Sequence, residues 1–188
     1  MNILFHSSKE KKCIIGCFTN LQTFSAVVLR IDANNEKYDI LDHKVREENI
    51  NLNDCAIDLI NLVKTYKIQN IISDEISQTI YSKGYLEKNQ YNSESIRWAI
   101  SEVTNYEKSM VFTRSLILEK RLEISKNIID DWEHEYKTFN LKDCIEQTKT
   151  YPLIFALWHG LNAKSKMEDL GYPTVKYRYG VYRSETRF

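Results

Sequence analysis

The stretch Ile71-Ile72-Ser73-Asp74-Glu75 decides the fold class, because it is an apolar run that ends in two acids and follows a helical pattern. Residues 52–66 place apolar side chains on one helical face, with Asn51 or Asn53 as the N-cap. We therefore predict a helix over 52–66 and a short buried strand over Ile68–Asp74. A helix between strands indicates a crossover to a parallel strand.

The elements before this helix form an antiparallel meander. Apolar and β-branched residues predict strands over Cys13–Phe18, Phe24–Ile31 and Lys37–Lys44, and turn residues at 32–35 separate the last two.

The downstream half predicts further helices and one more strand. We expect a helix over Ser93–Glu107, a short strand over Met110–Thr113, and a charged helix-prone stretch over Leu116–Phe139. A final helix within 141–161 starts or is interrupted near Pro152. The predicted class is α/β, with a mixed five-stranded sheet (three antiparallel strands, then parallel strands) flanked by helices. That order is the ribonuclease H-like plan, and we assign it to one domain over residues 1–163.

Composition limits the classes of protein that the chain can belong to. The 188 residues are 43% hydrophobic and 28% charged, which indicates a folded domain. Lys+Arg and Asp+Glu are both 26, so the whole-chain charge gives no argument for nucleic acid binding. No apolar run approaches the ~20 residues of a membrane span. Four scattered cysteines without zinc-ligand spacing indicate buried thiols in a reducing, intracellular compartment.

Two acid pairs are candidate metal ligands. Asp74 and Glu75 end a predicted strand, where only one of them can face the site, and Asp143 and Glu146 share a helical face. Mg²⁺ prefers hard oxygen ligands, and two such ions can drive phosphodiester hydrolysis. The pairs predict Mg²⁺ ligation and catalysis at a sheet edge. Acids at helix starts are also common without any catalytic role.

Basic residues suggest where DNA could bind. Lys120 and Arg121 are candidates for phosphate contact. The extension 164–188 interleaves tyrosines with basic residues that include Arg178 and Arg183. It suits DNA contact, a partner surface, or packing on its own domain.

The chain resembles RuvC-type Holliday-junction resolvases of the poxvirus kind, with the phage terminase nuclease domain as a cousin. Phe18-Thr19-Asn20-Leu21 resembles the family's Phe-Asp-Ile-Gly strand, and Ile71 to Gln78 resembles the strand that ends in its essential Glu, here Glu75. Lys142-Asp143-Cys144-Ile145-Glu146 resembles the Asp-Asp-x-x-Asp motif. The resemblance implies a Mg²⁺-dependent, structure-selective endonuclease that acts as a dimer on branched DNA in the host cytoplasm or a viral factory.

The sequence departs from the family at Thr19, or at Phe18, where the family has its first Asp. Neither side chain can supply the charge of a metal ligand. Two hypotheses follow: a relative of viral resolvases that acts on or binds branched or duplex DNA, or a catalytically inactive subunit or scaffold of a viral replication, transcription or packaging complex.

Overall fold

The computed structural model describes residues 12–32 and 37–162, which form a sheet with helices on both faces. The strands are β1 (Lys12–Thr19), β2 (Thr23–Asp32), β3 (Lys37–Glu47), β4 (Asn70–Ser73), β5 (Arg97–Ile100) and β6 (Leu122–Ile124). The helices are α1 (Leu52–Tyr66), α2 (Glu75–Ile80), α3 (Leu86–Lys88), α4 (Tyr106–Leu118), α5 (Ile129–Thr138), α6 (Leu141–Ile145) and α7 (Pro152–Leu161). The predicted extension 164–188, with Arg178 and Arg183, lies outside the described residues.

The sheet has the order β5-β4-β1-β2-β3-β6. Strands β1, β2 and β3 pair antiparallel, while β4 is parallel to β1, β5 to β4, and β6 to β3. The predicted mixed α/β sheet and the crossover through α1 are confirmed. The predicted number of five strands is one too few: the prediction lacks both β5 and β6, and it includes a strand over Met110–Thr113 that the structure does not have.

Two downstream predictions are wrong. The region Ser93–Glu107 is not one helix: it contains β5, which pairs with β4 so that Ala99 lies opposite Ile72. Met110–Thr113 is not a strand but part of α4. The apolar spacing in both regions fits either structure, and strand pairing across the sheet decides between them.

Strand β1 is central, and both of its faces are buried. Ile14 packs toward α4, α5 and α7, whereas Ile15 and Cys17 pack toward α1 and the α2–α3 segment. Alternating side chains of one strand therefore serve two separate cores. The parity of a residue in β1 determines which core it faces.

Gly16 lets α7 lie directly on β1. A Cβ atom at Gly16 would collide with the carbonyl oxygen of Ala156 and would lie 2.7 Å from the backbone nitrogen of Gly160. This close approach brings Phe155 and His159 of α7 next to the end of β1.

The structure bears on two predictions from composition, which concern the cysteines and membrane-spanning helices. All four cysteines are free, and Cys17, Cys55 and Cys144 are buried. Among the described residues, no helix has the length and apolar character needed to cross a membrane.

Candidate functional site

A groove of about 680 Å³ lies at the edge of the sheet where β1 and β4 end together. The two strands are parallel, and Cys17 pairs with Ser73, so their carboxyl ends meet at this edge. The side chains that carry charge or an aromatic ring along the groove are Phe18, Asp74, Glu75, Glu102, Tyr106, Lys149, Phe155 and His159. This is the edge at which the sequence predicted converging acids.

Asp74 holds the end of β1 against the start of α2. Its Oδ1 accepts a hydrogen bond of 2.7 Å from the backbone N–H of Ser77, as the N-cap of α2. Its Oδ2 accepts hydrogen bonds from the Ser77 hydroxyl at 2.7 Å and from the backbone N–H of Thr19 at 3.1 Å. Glu75 is exposed on the rim of the same groove. The Asp74 carboxylate therefore already has a structural task, which leaves few free lone pairs for a metal ion.

Phe18, not Thr19, occupies the strand-one position that faces the groove. Thr19 is 1% exposed, and its hydroxyl lies beside Cys17 and Tyr81 on the α1 face without a well-formed hydrogen bond. Phe18 points the other way and lines the groove. Phe18 is therefore the residue from which β1 could supply a ligand to the groove, and a phenylalanine side chain has no atom that binds a metal ion.

Aromatic rings fill the floor of the groove. The Phe18 ring lies 5.0 Å from that of Phe155 and stacks on His159 at 6.3 Å between centroids. His159 is 4% exposed, and burial lowers its pKa, although the charge of Asp74 and the carbonyl of Ser101 oppose that shift. Burial therefore favours the neutral form of the imidazole, which is covered by an apolar ring.

Asp143 and Glu146 do not join Asp74 and Glu75. Asp143 accepts hydrogen bonds from the Tyr151 hydroxyl at 3.2 Å and from the Asn140 side chain at 3.3 Å. Glu146 is half exposed and pairs with Lys142 at 3.7 Å. Both acids belong to the short helix α6 and its C-terminal end, and neither lines the groove. The helix that packs on β1 is α7, and residues 148–161 contain no carboxylate.

Lys120 and Arg121 lie at the opposite end of the sheet. They precede Leu122, which pairs with Tyr38, and Tyr38 pairs with Ile31, the partner of Lys12. Lys12 and Thr19 are the two ends of β1, which are separated by roughly 23 Å at the rise of a strand. The two basic residues therefore cannot contact a ligand in the groove at the Thr19 end.

A half-buried carboxylate fixes the start of α7. Glu135 of α5 accepts a hydrogen bond of 2.9 Å from the backbone N–H of Ile154. Burial raises the pKa of Glu135 to about 7, against the opposing effect of the N–H groups of Ile154 and Leu153. Residues of α5 and α7 are thus connected through a group that titrates near neutrality.

The described residues do not fit the Mg²⁺ centre that the resemblance implies. Within 12–32 and 37–162, no three His, Cys, Asp or Glu side chains gather closely enough to hold a metal ion. Strand one offers Phe18, α7 offers Phe155 and His159, and the acids nearest the shared strand end are those that follow β4. Mg²⁺ needs several oxygen ligands from separate elements, and β1 and α7 supply none to this groove.

The strand order and the groove at the shared end of β1 and β4 fit a ribonuclease H-like fold, as predicted. No protein-family model and no curated protein matches the sequence. Among solved structures, the large terminase of a thermophilic bacteriophage, in complex with ATP-gamma-S, is similar with a TM-score of 0.60 and 11% identity. This likeness covers 81% of this chain but only 40% of the terminase chain.

Two further structures are similar to this chain. The P22 large terminase nuclease domain has a TM-score of 0.51 and 14% identity, with 72% of each chain covered. Thermus thermophilus RuvC is also a structural neighbour, with a TM-score of 0.48, 9% identity and coverage of 81% of this chain and 96% of RuvC. The two terminase structures confirm the fold that the sequence predicted.

Sequence reasoning did not assign five charged or aromatic residues of the groove to the site: Glu102, Tyr106, Lys149, Phe155 and His159. Strand parity places Ile14, Gly16 and Phe18 on one face of β1 and Cys17 and Thr19 on the other, but parity alone does not show which face borders the groove. Nothing in the sequence marked Glu102, because the region around it has a helical spacing that the structure does not use.

Proposed function

We propose that this chain is a ribonuclease H-like subunit that does not cleave DNA and serves as a scaffold in a viral replication, transcription or packaging complex. The observation that carries the proposal is the Phe18 ring, which packs against Phe155 and stacks on His159 where a nuclease of this plan would need a carboxylate. A phenyl ring can neither ligate a cation nor activate water. The absence of acids from residues 148–161 supports the same conclusion.

The electrostatics of the groove also favour a protein partner over DNA. Three carboxylates (Asp74, Glu75 and Glu102) line it against one lysine, Lys149. A negative groove repels the phosphate backbone, which is the main source of affinity for DNA. An acidic, partly aromatic groove instead suits a basic peptide segment.

A cleaving, Mg²⁺-dependent relative of the resolvases is the alternative, and Asp74 and Glu75 favour it. They lie where β4 ends, which is the place of the family's essential Glu, and both line the groove. This alternative requires that the remaining ligands come from a partner or from residues outside the described ranges.

A cleavage assay distinguishes the two functions. Labelled four-way junction and linear duplex are incubated with the full chain and Mn²⁺, beside Glu75→Gln and Asp74→Asn variants. We expect intact DNA in every lane, since the groove lacks a ligand set. Symmetric nicks by the wild-type protein that disappear in Glu75→Gln would establish the nuclease and remove the scaffold proposal.

A further inference from the structure

The groove is suited to a basic, aromatic segment, and the chain carries one that begins beside it. Helix α7 ends at Leu161, and the Asn162 side chain donates a hydrogen bond of 2.8 Å to the Ser101 hydroxyl. Ser101 itself lines the groove. The polypeptide therefore enters residues 163–188 at the rim of this groove.

The walls of the groove combine exposed acids with apolar surface. Glu75 and Glu102 are both exposed along it, while Phe18, Tyr106 and Ile100 supply partly exposed apolar surface. Leu21, at 97% exposure, projects from the loop between β1 and β2 at the same site. Exposed apolar surface beside carboxylates suits a peptide that has both aromatic and cationic side chains.

The sequence after α7 has the complementary chemistry. Residues 171–188 contain four basic residues against one acid, Glu185, and four tyrosines alternate among them. Eight residues, 163–170, separate this stretch from the end of the described chain, and an extended chain of that length reaches up to about 26 Å. The basic stretch can therefore reach the groove from its own molecule.

We propose that residues 171–188 of the same chain occupy the groove beside Phe18, with their basic side chains against Glu75 and Glu102. This inference rests on the proposed function, since it assigns the groove to peptide binding rather than to a metal centre.

Competition with a synthetic peptide tests the proposal on full-length proteins. The probe is a fluorescein-labelled peptide of residues 163–188, and anisotropy reports its binding. In the wild-type protein the groove is already filled. A full-chain variant with Lys176→Glu, Arg178→Glu, Arg183→Glu and Arg187→Glu should have an open groove and bind the probe about tenfold more tightly.

Charge reversal in the groove provides the matched comparison. In the tail-reversed background, Glu75→Lys with Glu102→Lys should weaken probe binding by about fivefold or more, and the corresponding Gln variants should lie in between. Control reversals at Glu94 and Glu123, exposed residues that do not line the groove, should leave the affinity unchanged. Equal probe affinity in the wild-type and tail-reversed proteins, or no effect of the groove reversals, would overturn the proposal.

Sedimentation and the cleavage assay distinguish two further outcomes: binding of the segment to a second copy of the chain, and nuclease activity. Sedimentation should give a monomer for the wild-type protein; a dimer that dissociates on tail reversal would mean that the segment binds a second copy, which contradicts occupancy within one chain. The cleavage assay on the same proteins reports the proposed function separately. DNA nicking together with groove-dependent probe binding would remove the scaffold assignment while the peptide site stands.

Discussion

At the scale of single residues, the alternation of side chains along β1 determines what the groove contains. Thr19 and Cys17 face α1, and Phe18 faces α7. A departure from the resolvase pattern at either Thr19 or Phe18 could be predicted from the sequence. The sequence could not show which of these two residues points into the groove, because a shift of one residue exchanges the two sides of a strand.

Thr19 gives a residue-scale prediction. Thr19→Asp should not create a metal site and should lower the free energy of unfolding by about 3 kcal/mol or more, because it buries a carboxylate beneath α1 without a cationic partner. Thr19→Val should change it by less than about 1 kcal/mol, because the hydroxyl has no well-formed hydrogen bond to lose. Urea denaturation measures both. A Thr19→Asp protein as stable as the wild type would contradict the orientation of this residue.

Glu135 gives a prediction of pH dependence. Its pKa of about 7 in the folded chain lies above the ordinary value of 4.5, so the folded state keeps a proton that the unfolded state loses between these values. The stability from the protonated carboxyl is therefore complete below about 4.5 and is lost as the pH rises through about 7.

Comparison with Glu135→Gln isolates this effect, since a glutamine stays neutral and keeps an oxygen for the Ile154 N–H. Relative to the variant, the wild-type protein should lose on the order of 2 kcal/mol of unfolding free energy between about pH 5 and about pH 8. Urea midpoints across this range provide the measurement. Parallel curves for the two proteins would show that the carboxyl is not shifted.

At the scale of elements, patterns of local periodicity identified only part of the fold. The meander β1–β3 and helix α1 were predictable, because strand alternation and a single apolar helical face are both local patterns. Strand β5 was not, since Ile96, Ala99 and Ile100 also fit a helical face, and its identity depends on pairing with β4. The three-residue strand β6 likewise depends on pairing with β3 within a stretch of helix-forming residues.

The packing of α7 on β1 gives an element-scale prediction. Gly16→Ala should lower the free energy of unfolding by about 3 kcal/mol, because the new methyl group meets the rigid backbone of Ala156 and Gly160. Gly84→Ala is the matched control: no atom lies within 4 Å of its new Cβ, so stability should be equal or slightly higher. Thermal unfolding of both variants measures the difference. Similar melting temperatures for the two would contradict the direct contact between α7 and β1.

At the scale of the whole molecule, the fold determines where a site forms but not the chemistry of that site. The sheet order matches a ribonuclease H-like domain, and two large terminase structures share the fold at 11% and 14% identity. A fold of this kind fixes where a site forms, namely the common end of β1 and β4, but not which side chains fill it. Here the residues that β1 and α7 place at this edge carry aromatic rings: Phe18, Phe155 and His159.

For the same reason, only part of the candidate site could be predicted from the sequence. Asp74 and Glu75 could be placed at this edge because the strand and its end are visible in the sequence. Asp143 and Glu146 have helical spacing like the family's acids, but they belong to α6, while α7 is the helix that packs on β1. Only the tertiary contacts between helices and the sheet distinguish these two roles.

Titration of the full chain with Mn²⁺ in a calorimeter tests the central claim, that this groove holds no divalent metal centre. The described ligand set predicts no saturable heat at millimolar Mn²⁺, in the wild-type protein as in Asp74→Asn and Glu75→Gln. Saturable binding by the wild-type chain that is lost in either variant would contradict the account.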